Sequence, residues 1–99
     1  MQSELRLSTE AREDVLTIWE YYEGELEGLG DRFRRTLRST LDSIAFLPEA
    51  NEPVEDGVRR AFLKKFPFVV YYTFETNLVL VIAVMHAKRD PDLWRSRLA

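Results

Sequence analysis

The chain has 99 residues, enough for one domain spanning 1–99 with a modest core and too few for a second. Apolar residues make up 45% and charged residues 31%, which is ordinary for a folded globular chain and argues against disorder. There is no cysteine and only one histidine, so disulfides and thiolate metal sites are excluded, a structural zinc site is not expected, and no cofactor motif is present.

The net charge of −3 conceals an asymmetry. Residues 1–56 hold 6 Lys/Arg against 14 Asp/Glu, or −8, whereas residues 57–99 hold 8 against 3, or +5. Local charge governs the field near a surface, so the basic half either faces a polyanion or acidic partner or attracts the acidic half across the fold. The N-terminus is charged and has no apolar signal core. The longest apolar run, Leu78 to Met85, is far too short for a bilayer of roughly 30 Å. Both features predict a cytoplasmic protein.

Glu4-Leu5-Arg6-Leu7 alternates polar and apolar residues, as a half-buried strand does, and Ser8 or Thr9 then offers an oxygen to cap a helix. Ala11, Val15, Ile18, Tyr22 and Leu26 recur every three or four residues, with Leu16 and Trp19 widening the stripe, so the segment reads as an amphipathic helix. Gly28-Leu29-Gly30 ends it, and Asp31 is placed to cap the next helix. Phe33, Leu37, Leu41, Ile44 and Leu47 form a second stripe stopped by Pro48, which predicts an antiparallel helical hairpin. Arg32, Arg34, Arg35 and Arg38 on this helix are expected to pair mainly with acids of the first.

Residues 48–57 read as a loop, having two prolines, a glycine and four acids without periodicity. Three strands are then predicted, over Val58–Leu63, Phe66–Phe74 and Leu78–Met85, the last aliphatic enough to lie centrally. Glu75-Thr76-Asn77 suits a tight hairpin turn between the last two. The order β-α-α-β-β-β predicts an α+β fold, an antiparallel sheet packed against an N-terminal helical hairpin.

The cations Arg59, Arg60, Lys64, Lys65, Lys88 and Arg89, with His86, form the candidate working surface. His86 is able to move a proton near neutral pH, and Arg89 to grip a phosphate with two parallel hydrogen bonds. Equally, His86 has a structural use in ending a buried strand, and Arg89-Asp90-Pro91 in forming a corner. Trp94 is either a packing residue or an exposed anchor for a partner. Tyr71 and Tyr72, being consecutive in a strand, point to opposite faces, one to the core and one to the surface.

The stretch R-R-x-x-L-x-x-F-P-F-V-V-Y-Y from Arg59, the later V-I-A-V-M-H-A-K-R-D-P-x-x-W from Val81, and the early A-R-E-D-V-L-x-I-W-E-Y-Y from Ala11 together resemble the ParE/RelE superfamily of bacterial type II toxins. The resemblance spans nearly the whole chain. It implies a growth-inhibiting toxin masked by a cognate antitoxin, in a hetero-oligomer with it. ParE-like members bind DNA gyrase, and RelE-like members cleave messenger RNA on the ribosome. Here no tyrosine follows Tyr72 and the tail reads Arg89-Asp90-Pro91 with Trp94, which is similar to the ParE side. The expected function is therefore a gyrase-binding toxin without chemistry of its own, with Arg59, Arg60, Lys64, His86, Arg89 and Trp94 as binding residues. The alternatives are a nuclease using His86, Arg89, Arg60 and Lys64, and a degenerate member that only binds its antitoxin.

Overall fold

The computed structural model describes residues 2–98. Strand β1 (Glu4–Leu7) leads into helix α1 (Thr9–Glu25) and helix α2 (Leu29–Phe46). A 3-10 turn at Pro48–Ala50 is followed by strands β2 (Pro53–Glu55), β3 (Val58–Phe62), β4 (Phe68–Glu75) and β5 (Leu78–His86), and by a short helix α3 (Asp92–Arg95). The α+β class and the helical hairpin are as expected from sequence. Two details differ. Part of the segment read as loop forms β2, an edge strand beside β3, and the sheet is mixed: its order is β1-β5-β4-β3-β2, with β1 parallel to β5 and the other neighbours antiparallel.

The parallel pairing follows from where the hairpin must go. Leu7 lies opposite Val81, and the Ser8 N–H donates to Val81 O at 2.9 Å, so the chain leaves the sheet midway along β5. Ser8 then turns its hydroxyl to cap α1, accepting from Ala11 N–H at 3.0 Å. The α1 stripe buries Ala11 and Ile18, with Val15 and Tyr22 half-buried against the same core. Leu16 and Leu26, counted in that stripe from sequence, are exposed instead.

The α1–α2 junction is held by one carboxylate. Glu23 accepts the N–H groups of Gly28 at 3.0 Å and Gly30 at 2.9 Å, satisfying donors that a helix start leaves free and placing negative charge at the positive end of α2. Gly28 takes the left-handed conformation (φ 88°), as a tight reversal requires. Asp31 lies in the first turn of α2 instead of capping it, and accepts Trp19 Nε1–H at 3.0 Å. Gly30 permits the close crossing itself: a Cβ there would lie 2.8 Å from Trp19 O. Backbone cannot swing aside as a side chain can, so Gly30→Ala is expected to cost about 1–3 kcal/mol, read as a lower urea midpoint with an unchanged slope.

On the sheet face toward the helices, Phe33, Leu37 and Ile44 of α2 meet Val70, Tyr72, Val79, Val81 and Val84 in one buried cluster. At the hairpin tip Tyr22, Phe33, Phe66 and Phe68 pack as aromatic neighbours, with ring centroids 5.2 Å apart for Tyr22–Phe66 and 5.8 Å for Phe33–Phe68. Edge-on pairs of this kind contribute about 0.5–1.5 kcal/mol each beyond area burial. Tyr72 is fully buried and donates to Pro48 O at 2.6 Å, tying the 3-10 turn to the core. Burial pushes its phenol pKa up, with Asn51 and Arg59 opposing, so the hydroxyl stays a donor.

The opposite sheet face carries a second cluster of Val58, Val69, Tyr71, Ile82, Ala83 and Met85, covered by Trp94 of α3. Tyr71 and Tyr72 do point to opposite faces, but neither reaches the surface: Tyr71 lies under Trp94, stacked with centroids 5.1 Å apart. Trp94 itself is 2% exposed. It is a packing residue and offers no exposed anchor.

A bulge in β5 links the two faces. Tyr71 lies opposite Ala83 and Tyr72 opposite Val81, so Ile82 is the extra residue. Such a kink frees ladder groups, and here they are used: Asp14 of α1 accepts Val84 N–H at 3.0 Å, and Arg97 donates to Ile82 O at 3.0 Å. Arg97 also grips both oxygens of Asp14, at 2.6 and 3.1 Å. These hydrogen bonds raise the guanidinium pKa above its usual value against the opposing desolvation. The C-terminal segment is thus pinned across the sheet edge to the first helix.

Candidate functional site

The cations that sequence grouped together are divided by the sheet. Val58 joins the outer cluster and Ala61 the helix-side cluster, so along β3 Arg59 lies on the helix side and Arg60 on the outer side. Arg59 is occupied structurally, donating to Asn51 O at 2.7 Å and Glu49 O at 3.3 Å, where it holds the end of the 3-10 turn. Arg60 pairs with Glu52 at 3.2 Å and lies over the Phe62 ring, 5.2 Å from its centroid, and its Nε is buried without a hydrogen-bond partner.

His86 ends β5, packed edge-on against Phe68 with centroids 5.5 Å apart. Its Nδ1 accepts Lys88 N–H at 3.0 Å, and its carbonyl accepts Arg89 N–H at 2.9 Å. The ring therefore organises the turn after the strand, and a neutral imidazole carries its proton on Nε2. Lys88 and Arg89 are exposed in that turn. The Ala87 N–H donates to Pro67 O at 2.9 Å, which puts this turn at the same end of the sheet as the β3–β4 connection carrying Lys64 and Lys65. His86, Lys64, Lys88 and Arg89 thus share one end of the sheet. Arg60 stands on the outer face, away from the helix-side cluster, and Trp94 is buried there.

A second grouping was not anticipated. Between α2 and the edge of β3 lies a groove of about 470 Å³ lined by Arg35, Ser39, Ser43, Ile44, Lys64 and Lys65, among others. An adjoining hollow shares Arg35 and Lys65 and adds Arg32. The expected pairing of the α2 arginines with acids of α1 is not found among the described residues: Arg38 faces Asp42 of its own helix at 3.6 Å, and Arg32, Arg34 and Arg35 form no ion pair. Helical spacing explains this for Arg32 and Arg35. Arg32, Arg35 and Ser39 fall on the side of α2 facing away from α1, which covers the Phe33 side. The charge pattern could have pointed to this surface, but nothing in it links Arg35 to Lys64.

Apolar groups flank the groove. Phe62 is 55% exposed, and Phe46 and Leu47, at the end of α2, are 70% and 55% exposed. Phe46 and Leu47 line a further hollow with Ser39, Ser43 and Asn51, continuous with the groove through those shared residues. Exposed rings of this size beside cations suit binding of a macromolecule better than of a small solute.

No helix among the described residues is long and apolar enough to cross a membrane. None of the curated proteins matches the chain in sequence. Twelve chains of solved structures match it. One of them, described as "Chromosomal ParDE TA system from P. aeruginosa", superposes with a TM-score of 0.77 at 16% identity, over 86% of this chain and 96% of that one. At that identity the likeness establishes the fold. The sequence model of the family described as "ParE toxin of type II toxin-antitoxin system, parDE" matches residues 5–91, from β1 to the turn after His86, and the chain belongs to this family of ParE toxins of type II toxin–antitoxin systems.

Proposed function

We propose that the chain acts by binding DNA gyrase and is neutralised by a cognate antitoxin that forms a hetero-oligomer with it. Family membership supports the toxin–antitoxin setting. The observation favouring a binding mode of action is the environment of His86. Its Nδ1 is taken by a backbone N–H, and no hydrogen bond among the described residues joins the ring to a carboxylate, tyrosine or second cation. Cleavage through a 2′-hydroxyl needs a base, an acid and cations converging on one phosphate. Arg60 lies on the opposite sheet face from the helix-side cluster, which removes one cation of the nuclease set from that convergence.

Purified gyrase distinguishes the readings. At stoichiometric excess the protein is expected to abolish supercoiling and to accumulate cleaved DNA, with His86→Ala retaining most of that effect. Unchanged supercoiling without trapped DNA, combined with cuts in messenger RNA on translating ribosomes that vanish in His86→Ala and Arg89→Ala, would transfer the protein to the nuclease reading. Normal growth on expression of the folded chain alone would indicate a member that only binds antitoxin.

A further inference from the structure

We propose that β1, the open edge of the sheet on the far side from the groove, is a contact between two copies of this chain, which meet there as antiparallel neighbours about a two-fold axis. This contact concerns the chain by itself and does not depend on the gyrase or antitoxin reading.

The main chain marks the place. β1 ends the sheet and has β5 on one side only. Glu4 N–H donates to Asn77 O and Ser8 N–H to Val81 O, so even-numbered residues turn their main-chain groups to β5 and odd-numbered ones turn theirs outward. Of the outward groups, Ser3 N–H is taken by Ala45 O at 2.9 Å, and Leu7 O receives Arg12 Nε–H at 3.4 Å. Leu5, between them, keeps both its N–H and its C=O free among the described residues. An unpaired edge is a template for another strand. A two-fold axis through Leu5, perpendicular to the sheet, joins these two groups to the same two groups of the second copy, as in a hydrogen-bonded antiparallel pair. The flanking groups already in use confine the ladder to this centre, which suits a strand as short as β1 itself.

Charge selects a second copy as the occupant. A contact of a surface with itself needs every charge to find its opposite at the two-fold-related position. On the outer sheet face Glu4 and Arg6 flank Leu5, both exposed and 2.7 Å from each other. The axis sets Glu4 opposite Arg6 of the second copy and Arg6 opposite its Glu4, so both cross-strand pairs are attractive. On the helix side a hollow of about 350 Å³ beside β1 is lined by Leu5, Leu7, Arg38, Leu41 and Asp42, among others. Arg38 and Asp42 lie one turn apart on α2 and 3.6 Å from each other. The same axis brings the two α2 helices past each other in opposite directions, so these charges also meet their opposites. Two cations and two anions leave the patch neutral, whereas the groove across the sheet presents cations without a carboxylate. Half-buried Leu5, Leu7 and Leu41 supply the apolar centre that such a contact needs.

The test uses the purified full chain alone. Glu4, Arg6 and the eight residues lining the hollow are fewer than the roughly 20–30 a side of a standard interface, so sedimentation equilibrium is expected to show a dimer with Kd on the order of 10–100 µM. Hydrogen exchange at the Leu5 amide should slow as concentration rises, while the Glu4 amide, already bonded to Asn77 O, stays unchanged. Arg6→Glu sets like charges opposite each other in both halves of the contact and is expected to weaken the dimer about tenfold, as is Glu4→Arg. With circular dichroism spectra unchanged, an equimolar mixture of these two variants, one edge acidic and the other basic, is expected to form a heterodimer at least as tight as the wild-type dimer. The exchanged variant Glu4→Arg/Arg6→Glu should dimerise like wild type. A chain still monomeric at about 1 mM, a dimer indifferent to both reversals, or variants that do not combine on mixing would each overturn the assignment. A monomeric chain whose Leu5 amide becomes protected only with the protein encoded by the neighbouring reading frame would give the β1 edge to that partner instead.

Discussion

Trp94→Ala is expected to remove about 3–5 kcal/mol of stability, the range for deleting a large buried aromatic side chain. Trp94 is 2% exposed, stacks on Tyr71 with the planes inclined by 21°, and is the buried residue of α3 in the outer core cluster. That helix has four residues and cannot persist without the contact. Truncation therefore opens a cavity and also releases the cover over Val58, Val69, Ile82, Ala83 and Met85. A small domain has a total stability of about 5–15 kcal/mol, so the variant should lose a large part of it. Its Tm should fall by roughly 15 °C or more, at about 4–8 °C per kcal/mol for a chain of this size. Trp94→Phe keeps an aromatic face on Tyr71 and should lose markedly less. A loss below about 1 kcal/mol for the alanine variant would mean that α3 does not cover the sheet in solution.

Asp14→Ala should be the next most damaging change, at about 2–4 kcal/mol. One carboxylate accepts Val84 N–H at the β5 bulge and both arms of the Arg97 guanidinium. The pair is largely shielded, with side-chain exposures of 20% for Arg97 and 16% for Asp14, so water replaces the lost hydrogen bonds poorly. The two partners are not equivalent. Removing Asp14 strands the Val84 N–H and leaves the guanidinium only its bond to Ile82 O, whereas Arg97→Ala leaves Asp14 bound to Val84 and should cost roughly 1–2 kcal/mol. Urea titration of both single variants and the double variant gives the coupling directly, and the double variant is expected to lose less than the sum of the two single losses. If Asp14→Ala unfolds within about 0.5 kcal/mol of wild type, the clamp contributes nothing.

Much of the architecture was legible because it is written in local patterns. The Ala11, Ile18 and Tyr22 stripe specifies a helix and its buried side, and the unbroken aliphatic run from Leu78 specifies an interior strand, which β5 is, lying between β1 and β4. Thr76 and Asn77 both adopt positive φ, the backbone that a two-residue hairpin turn requires. The candidate surface was less legible. Arg59 and Arg60 are sequence neighbours with opposite environments, one capping a turn and one on the outer face, because a strand alternates sides at every residue. Trp94 read as either a packing residue or an anchor, and one of Tyr71 and Tyr72 was expected at the surface; Trp94 and Tyr71 proved to be each other's cover.

Sequence by itself determined β1, the two long helices, β3, β4 and β5, their order and the family resemblance, but not β2 or α3, since periodicity, capping and turn chemistry act within a few residues and leave a direct trace in the chain. Only the tertiary structure decided that β1 runs parallel to β5, that Asp14 meets Arg97 across 83 residues, and that Arg35 shares a groove with Lys64 and Lys65. The physical reason is that an apolar stripe states that a face must be buried without naming its partner. Exposed charges carry even less positional information, because water satisfies them almost equally well wherever the packing of the core happens to leave them.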